Sequence, residues 1–224
     1  LLVVADYSQQ ELRVLAAVSG DAALTAVFTS GADLHAATAA TVFGVPLDKV
    51  SEAQRKAAKA LNFGLMYGMG APGFARATGT SVAQARLAMD AYVAGYPKVA
   101  GWLRQVESQA RRTNRVTTPL GRARHLTEAG SLARNAPIQG AGADMTKLAV
   151  AEVDRALRRR FGDDHQSPVG LVLTVHDELV VEVPAADAEE GAALLRAGML
   201  AAGQRLLGEV PAAVDVRIGG SWGG

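Results

Sequence analysis

The chain has 224 residues, enough for one large domain or two small ones with a real core. Apolar residues make up 49%, yet no uncharged apolar run approaches the roughly 18 residues that span a bilayer, and no secretion signal opens the chain. A net charge of +1 gives no general pull on nucleic acid, and the lack of cysteine excludes disulfides and thiolate metal sites and suits a reducing compartment. Because Leu1 already lies in an apolar run, the chain is expected to be a piece of a longer protein.

In chain order, "LLVVA" reads as a buried strand. "DYSQQELR" (6–13) follows, with capping-box spacing between Ser8 and Glu11, so a helix is expected from about Gln9 to Val18, ending at Ser19-Gly20. Alanine-rich helical patterns fill most of the chain to Phe161, broken at Gly31, Gly44-Val45-Pro46, "YGMGAPG" (67–73), Tyr96-Pro97 and Thr118-Pro119. Between Arg104 and Arg134 lie seven arginines (104, 111, 112, 115, 122, 124, 134) against Glu107 and Glu128, which suits phosphate contacts and equally a solvated basic face. "GLVLTVHDELVVEVP" (170–184) has its polar residues in the middle, the pattern of a hairpin turning at or beside "HDE". A helix from about Ala186 to Leu207 and a last strand in "AAVDVRIGGSW" complete the chain. Strands at both ends predict one antiparallel sheet with an inserted helical subdomain, an α+β fold.

Two stretches carry chemistry. Asp177 and Glu178 at a hairpin tip suit a hard divalent cation, though an ordinary polar turn has the same composition. The His176-Asp177 dipeptide also occurs in metal-dependent phosphohydrolases, which need more helix-borne histidines than the four here (35, 125, 165, 176). In "SEAQRKAAKALNFGLMYG" (51–68), Ser51 and Gln54 open a helix. Arg55, Lys59, Phe63 and Tyr67 then share one ridge, while Ala57, Leu61, Gly64 and Leu65 face away. Two cations a turn apart suit a polyphosphate and the aromatics suit a base; the other reading is an amphipathic helix with two solvated bases.

"DYSQQELR", "RKAAKALNFGLMYG" and "VHDE" resemble motifs A, B and C of family A DNA polymerases, the bacterial DNA polymerase I type, in the family's order. "DLHAATA" (33–39), "TPLGRARHL" (118–126), "RNAPIQGAGADMTK" (134–147) and "GSW" near the end extend the resemblance over essentially the whole chain. It implies a nucleotidyltransferase that adds deoxynucleotides to a primer 3′-hydroxyl on a DNA template and releases pyrophosphate, serving replication or repair. The transfer would use two magnesium ions, for which manganese can substitute. By resemblance Asp6, Asp177 and the Tyr7 carbonyl hold the metals. Arg55, Lys59 and His35 meet the triphosphate, and Lys59 is also the proton donor to pyrophosphate. Phe63 and Tyr67 pack on the incoming nucleotide, with Gln9 and Glu11 beside it. Glu11 excludes the ribose 2′-hydroxyl, with Tyr67 as its partner. Asn135, Gln139, His176 and Glu178 contact primer-template, and the arginines of 104–134 the duplex backbone.

The resemblance divides the chain into palm (1–20), fingers with a helical connection (21–165) and palm again (166–224), with thumb and proofreading domains upstream. Such a piece alone is expected to extend primers poorly or not at all. A monomer in the cytoplasm is expected, on nucleoid DNA in a bacterial or phage-like setting, with no membrane partner. Departures from the family pattern are Gln10 for an apolar residue, Lys56 for an arginine, Thr174 for a glutamine and Ser131 for an arginine, together with a shortened segment before "RNAPIQG". The alternatives are a non-catalytic nucleic-acid-binding remnant of the same fold, a single-subunit RNA polymerase, disfavoured by Glu11 and Phe63, and a metal phosphohydrolase.

Overall fold

The computed structural model describes residues 1–127, 131–162 and 167–223. In chain order the elements are β1 (Leu2–Tyr7), α1 (Gln10–Ser19), α2 (Ala22–Ser30), α3 (Leu34–Phe43), α4 (Glu52–Met66), α5 (Ala71–Thr78), α6 (Val82–Gly95), α7 (Pro97–Thr113), β2 (Arg115–Thr117), β3 (Ala123–His125), α8 (Ser131–Phe161), β4 (Gly170–Val175), β5 (Glu178–Glu182), α9 (Ala188–Leu207) and β6 (Val214–Gly219). They form two compact units, Leu1–Glu11 with Ala141–Gly224, and Leu12–Gly140. These breaks fall inside α1 and α8, whereas the expected division at 20/21 sits at the turn after α1; the one at 165/166 lies outside the described residues.

The first unit is built on an antiparallel sheet of order β4-β5-β1-β6, so the α+β expectation holds and the two chain ends share one sheet. β1 is interior, between β5 and β6, as its valine-rich run requires. Val3 and Ala5 are fully buried, and the Tyr7 hydroxyl donates to the Met199 carbonyl of α9 at 2.6 Å. Burial of this kind is worth about 1.5–3 kcal/mol per large apolar side chain. α9 lies close because its glycines leave room: a Cβ on Gly198 would come within 2.7 Å of Val153 on α8. Gln10, polar where the family pattern is apolar, is buried by the same means. Its amide donates to Gly142 O at 3.4 Å and Thr146 Oγ1 at 3.3 Å, in space that a side chain on Gly142 would fill.

The second unit is a helical cluster whose helix starts follow local signals. Ser51 with Gln54, and Ser81 with Gln84, form complete reciprocal capping boxes at α4 and α6. Asp21 does more than its sequence position announces. Oδ1 accepts from Ala23 N and Leu24 N, both at 3.1 Å, and Oδ2 from Lys98 N at 3.0 Å and Val99 N at 3.4 Å. One buried carboxylate thus caps α2 and α7 together. The expected helical run past Arg115 is corrected: "RVTTPLGRARH" forms the β2–β3 hairpin, with Val116 packed among Ala110, Leu126, Ala133 and Ala136. The αL cap at Asn114 (φ 49°) ends α7, and the β-branched Val116 and Thr117 favour strand over helix. A further break, at Gly79 (φ 70°), separates α5 from α6. No helix among the described residues is long and apolar enough to cross a membrane.

Candidate active site

In the sheet unit, β4 and β5 are joined by the two-residue turn His176-Asp177, so the hairpin tip falls where expected. Asp6 on β1 stands directly opposite Glu178 on β5 and Asp215 on β6. Directly paired residues share a face, and like charges there oppose folding. Asp177 completes the group, hydrogen-bonded side chain to side chain with Asp6, while its carbonyl accepts the Tyr7 N–H at 3.3 Å. Although Asp6 is exposed, partial desolvation by its surroundings raises its carboxyl to about 6, helped by Asp177 and then by Glu178 and Asp215.

Backbone strain marks the same spot. Only Gln9 (φ 55°), Asn114 and His176 (φ 54°) are non-glycine residues at positive φ among the described residues. Asn114 is a common helix-end cap, but Gln9 and His176 flank the acidic pair, each at roughly 1–3 kcal/mol. Ser8, expected to cap α1, donates its hydroxyl to Asp215 and its N–H to the Ala213 carbonyl at 3.0 Å. Glu178 is held by the Trp222 indole N–H and, at 3.5 Å, by Arg217 Nη2. The Asp6 and Asp177 side chains are oxygen donors of the type magnesium takes, one or two at a time, with water and substrate phosphates completing its shell. Among the described residues no group of three or more His, Cys, Asp or Glu is placed to hold a metal ion.

In the helical unit, α3 and α4 pack together, and α4 with its C-cap carries the expected ridge. Arg55 is half-buried, Lys59 is exposed, Phe63 is half-buried and Tyr67 ends the helix, 43% exposed. The chain doubles back after Tyr67 because Gly64 lacks a Cβ, which would sit 2.8 Å from Met69 Sδ. His35 is 5% exposed, deeper than a simple phosphate contact requires. Its Nδ1 receives the Asn62 amide at 3.0 Å, so the ring proton sits on Nε2, the only ring nitrogen left to donate. Burial drives the His35 pKa down against the pull of Asp33, with Arg55 and Lys59 pushing the same way, so the ring is neutral. Its ring lies 6.1 Å from that of Phe63.

The arginines of 104–134 divide by partner. Glu107 accepts from Arg111 Nη2 at 2.7 Å and from Arg134 Nη2 at 2.6 Å, which gives those two a structural role. Arg124 pairs with no acid among the described residues. It lines a cavity of about 220 Å³ with Arg122, Thr118 and Gln139. One turn before Gln139, Asn135 Oδ1 is buried with no hydrogen-bond partner, an unmet acceptor of the kind a ligand or water satisfies. Glu128 and the Ser131 side chain lie outside the described residues.

The sequence model of DNA polymerase family A matches residues 1–224. The chain belongs to DNA polymerase family A. It is 39% identical to DNA polymerase I of Mycobacterium bovis, covering 99% of this chain and 25% of that protein. It is 38% identical to the thermostable DNA polymerase I of Thermus filiformis, covering 99% and 27%. Among solved structures it matches the polymerase domain of Pol1 from M. smegmatis in complex with DNA primer-template and dNTP. That match has a TM-score of 0.88 and 37% identity over 99% of this chain and 40% of that one. The chain thus spans about a quarter of the length of these curated family A relatives.

Asp33 and Asn62 lie inside the quoted stretches but were given no role there, and Asp215, which faces Asp6, lies outside them. A charged residue inside the apolar strand "AAVDVRI" was the one available signal for Asp215.

Proposed function

We propose that the chain is the palm and fingers part of a template-directed DNA polymerase, with the sheet unit as palm and most of the helical unit as fingers. The observation that carries this reading is the Asp6–Asp177 pair. It consists of one carboxyl on β1 and one at the β4–β5 turn, near enough that Asp177 helps raise the Asp6 carboxyl to about 6, with two residues at positive φ close by in the chain. Asp6, Asp177 and the Tyr7 carbonyl would hold two magnesium ions, or manganese in their place. When bound, these ions activate the primer 3′-hydroxyl and stabilise charge on the transferred phosphoryl group.

The chain's own residues do the rest. Arg55 and Lys59 bind the triphosphate, with the His35 Nε2–H as a third donor. Lys59 gives its proton to the departing pyrophosphate. Phe63 and Tyr67 confine the incoming nucleotide, and Gln9 and Glu11 border its sugar, Glu11 excluding a 2′-hydroxyl. Asn135 and Gln139 contact the minor groove of the primer-template. His176 and Glu178 stand near the primer end, and Arg124 with its neighbours holds backbone phosphate. The working protein is a monomer acting on primer-template DNA with deoxynucleoside triphosphates, in the cytoplasm at the nucleoid, in replication or repair.

Primer extension by the full-length gene product, with and without Asp177→Ala, tests this reading. We expect extension to fall by at least about a thousandfold while DNA binding survives. Undiminished extension overturns the reading. A wild-type protein that binds DNA but never extends identifies a non-catalytic remnant, and preferential ribonucleotide incorporation identifies an RNA polymerase.

A further inference from the structure

Asp33 opens α3, where Oδ1 accepts from His35 N at 2.8 Å and Ala36 N at 3.0 Å. The other oxygen, Oδ2, accepts from Arg55 Nε on α4 at 2.7 Å. The carboxylate therefore does two jobs with two atoms: it caps one helix and grips a cation on the next. Both ends of that grip are anchored. Oδ1 is fixed by two backbone donors, and the Arg55 backbone lies in the first turn of α4, its N–H on the Ser51 carbonyl at 2.9 Å.

The point of attachment on the guanidinium matters more than the ion pair itself. Nε is the inner edge of the fork, so the two terminal nitrogens stay outward. Nη1 is 3.7 Å from Glu52 Oε1, beyond hydrogen-bond reach, and no described residue takes Nη2. Lys59 follows one helical turn later with no acidic partner among the described residues.

We infer that Asp33 is a positioning residue that aims Arg55 at the triphosphate, gripping Nε so that both terminal nitrogens meet phosphate oxygens in a preset plane. This rests on the reading of Arg55 as a triphosphate-binding cation. An untethered arginine loses rotamer freedom when a ligand orders it, whereas a pre-ordered one binds the same oxygens more tightly. A carboxylate that merely masked the cation would face the terminal nitrogens, the edge a phosphate uses. Asp33 leaves that edge open.

The test uses the full-length gene product on primer-template. Asp33→Ser keeps an N-cap acceptor for α3 but is too short to reach Arg55. We expect the dNTP KM to rise about tenfold, with kcat within about twofold and the melting temperature unchanged, as for loss of binding felt equally in ground and transition states. Calorimetric dNTP affinity should weaken by the same factor. In an Arg55→Ala background the same substitution should change KM by less than about twofold. A KM unchanged or lowered by Asp33→Ser, while Arg55→Ala raises it, overturns the inference alone. An equal rise in both backgrounds also overturns it, because the effect then runs through the helix cap. If Arg55→Ala leaves KM unchanged, the triphosphate reading of Arg55 falls, and the inference with it.

Discussion

The two units handle charge in opposite ways. The sheet unit crowds acids of one sign: Asp6 faces Glu178 and Asp215 across adjacent strands and shares a hydrogen bond with Asp177. The helical unit pairs opposite signs, with Asp21 on two helix N-termini and Asp33 divided between α3 and Arg55. At Asp33, burial pushes the carboxyl up, but the Ala36 N–H and the Arg55 guanidinium outweigh it and hold it below the ordinary value. Thus an aspartate is a liability in one unit and a fastener in the other. Its neighbours decide which, since they are carboxylates in the first case and backbone N–H groups or a guanidinium in the second. A crowded acidic row costs stability until a cation arrives, so its presence argues for a ligand in a way that a satisfied aspartate does not.

The largest effect should come from the exposed end of the cationic ridge. Lys59→Met is expected to lower kcat by about 10²- to 10⁴-fold, read by single-turnover extension, with dNTP affinity falling less. On the fastener side, Asp21→Ala should destabilise the protein by about 2–4 kcal/mol in denaturant titration, since two helix starts lose their cap and buried N–H groups go unmet. Asp21→Asn should recover part of that loss.

Glu11→Ala asks whether this acid in the first turn of α1 serves the helix or the substrate. We expect ribonucleotide incorporation to rise at least about tenfold, at little loss of stability. A melting-temperature drop with unchanged sugar selection would return Glu11 to a purely structural role. The smallest effect concerns pH. Asp6 holds its proton to about 6 in the folded state, above its value of 3.8 when free. Between those two values the folded state binds more protons than the unfolded one, so this contribution to stability is present at low pH and lost as pH rises through 6. Asp6→Asn should therefore melt a few degrees higher than wild type at neutral pH without metal, and no higher near pH 4. Magnesium should raise the melting temperature of wild type more than that of the variant.

What could be read from the sequence was local. The strand in "LLVVA", the Ser51-Gln54 cap, the cation-aromatic ridge and the hairpin tip at His176-Asp177 each depend on residues within a few positions of one another. Motif order added the link between Asp6 and Asp177, 171 positions apart. The short β2–β3 hairpin was missed because three-residue strands are too brief to show a period, and the helical pattern ran on across them. The setting of His35 could not be read locally, since Asn62, whose amide meets its Nδ1, lies 27 residues away on another helix.

The sequence alone therefore determined the local elements and several of their starts, because periodicity and capping act over one or two turns. Only the tertiary structure decided what each carboxylate is for. Asp6, Asp21, Asp33 and Asp215 are one residue type with the same intrinsic pKa. Asp21 is set by backbone N–H groups of two helices, Asp33 by those of α3 and the Arg55 guanidinium of α4, and the other two by acids that face them from neighbouring strands. An aspartate's role comes from what folding places within about 3 Å of it, and local sequence has no access to that distance.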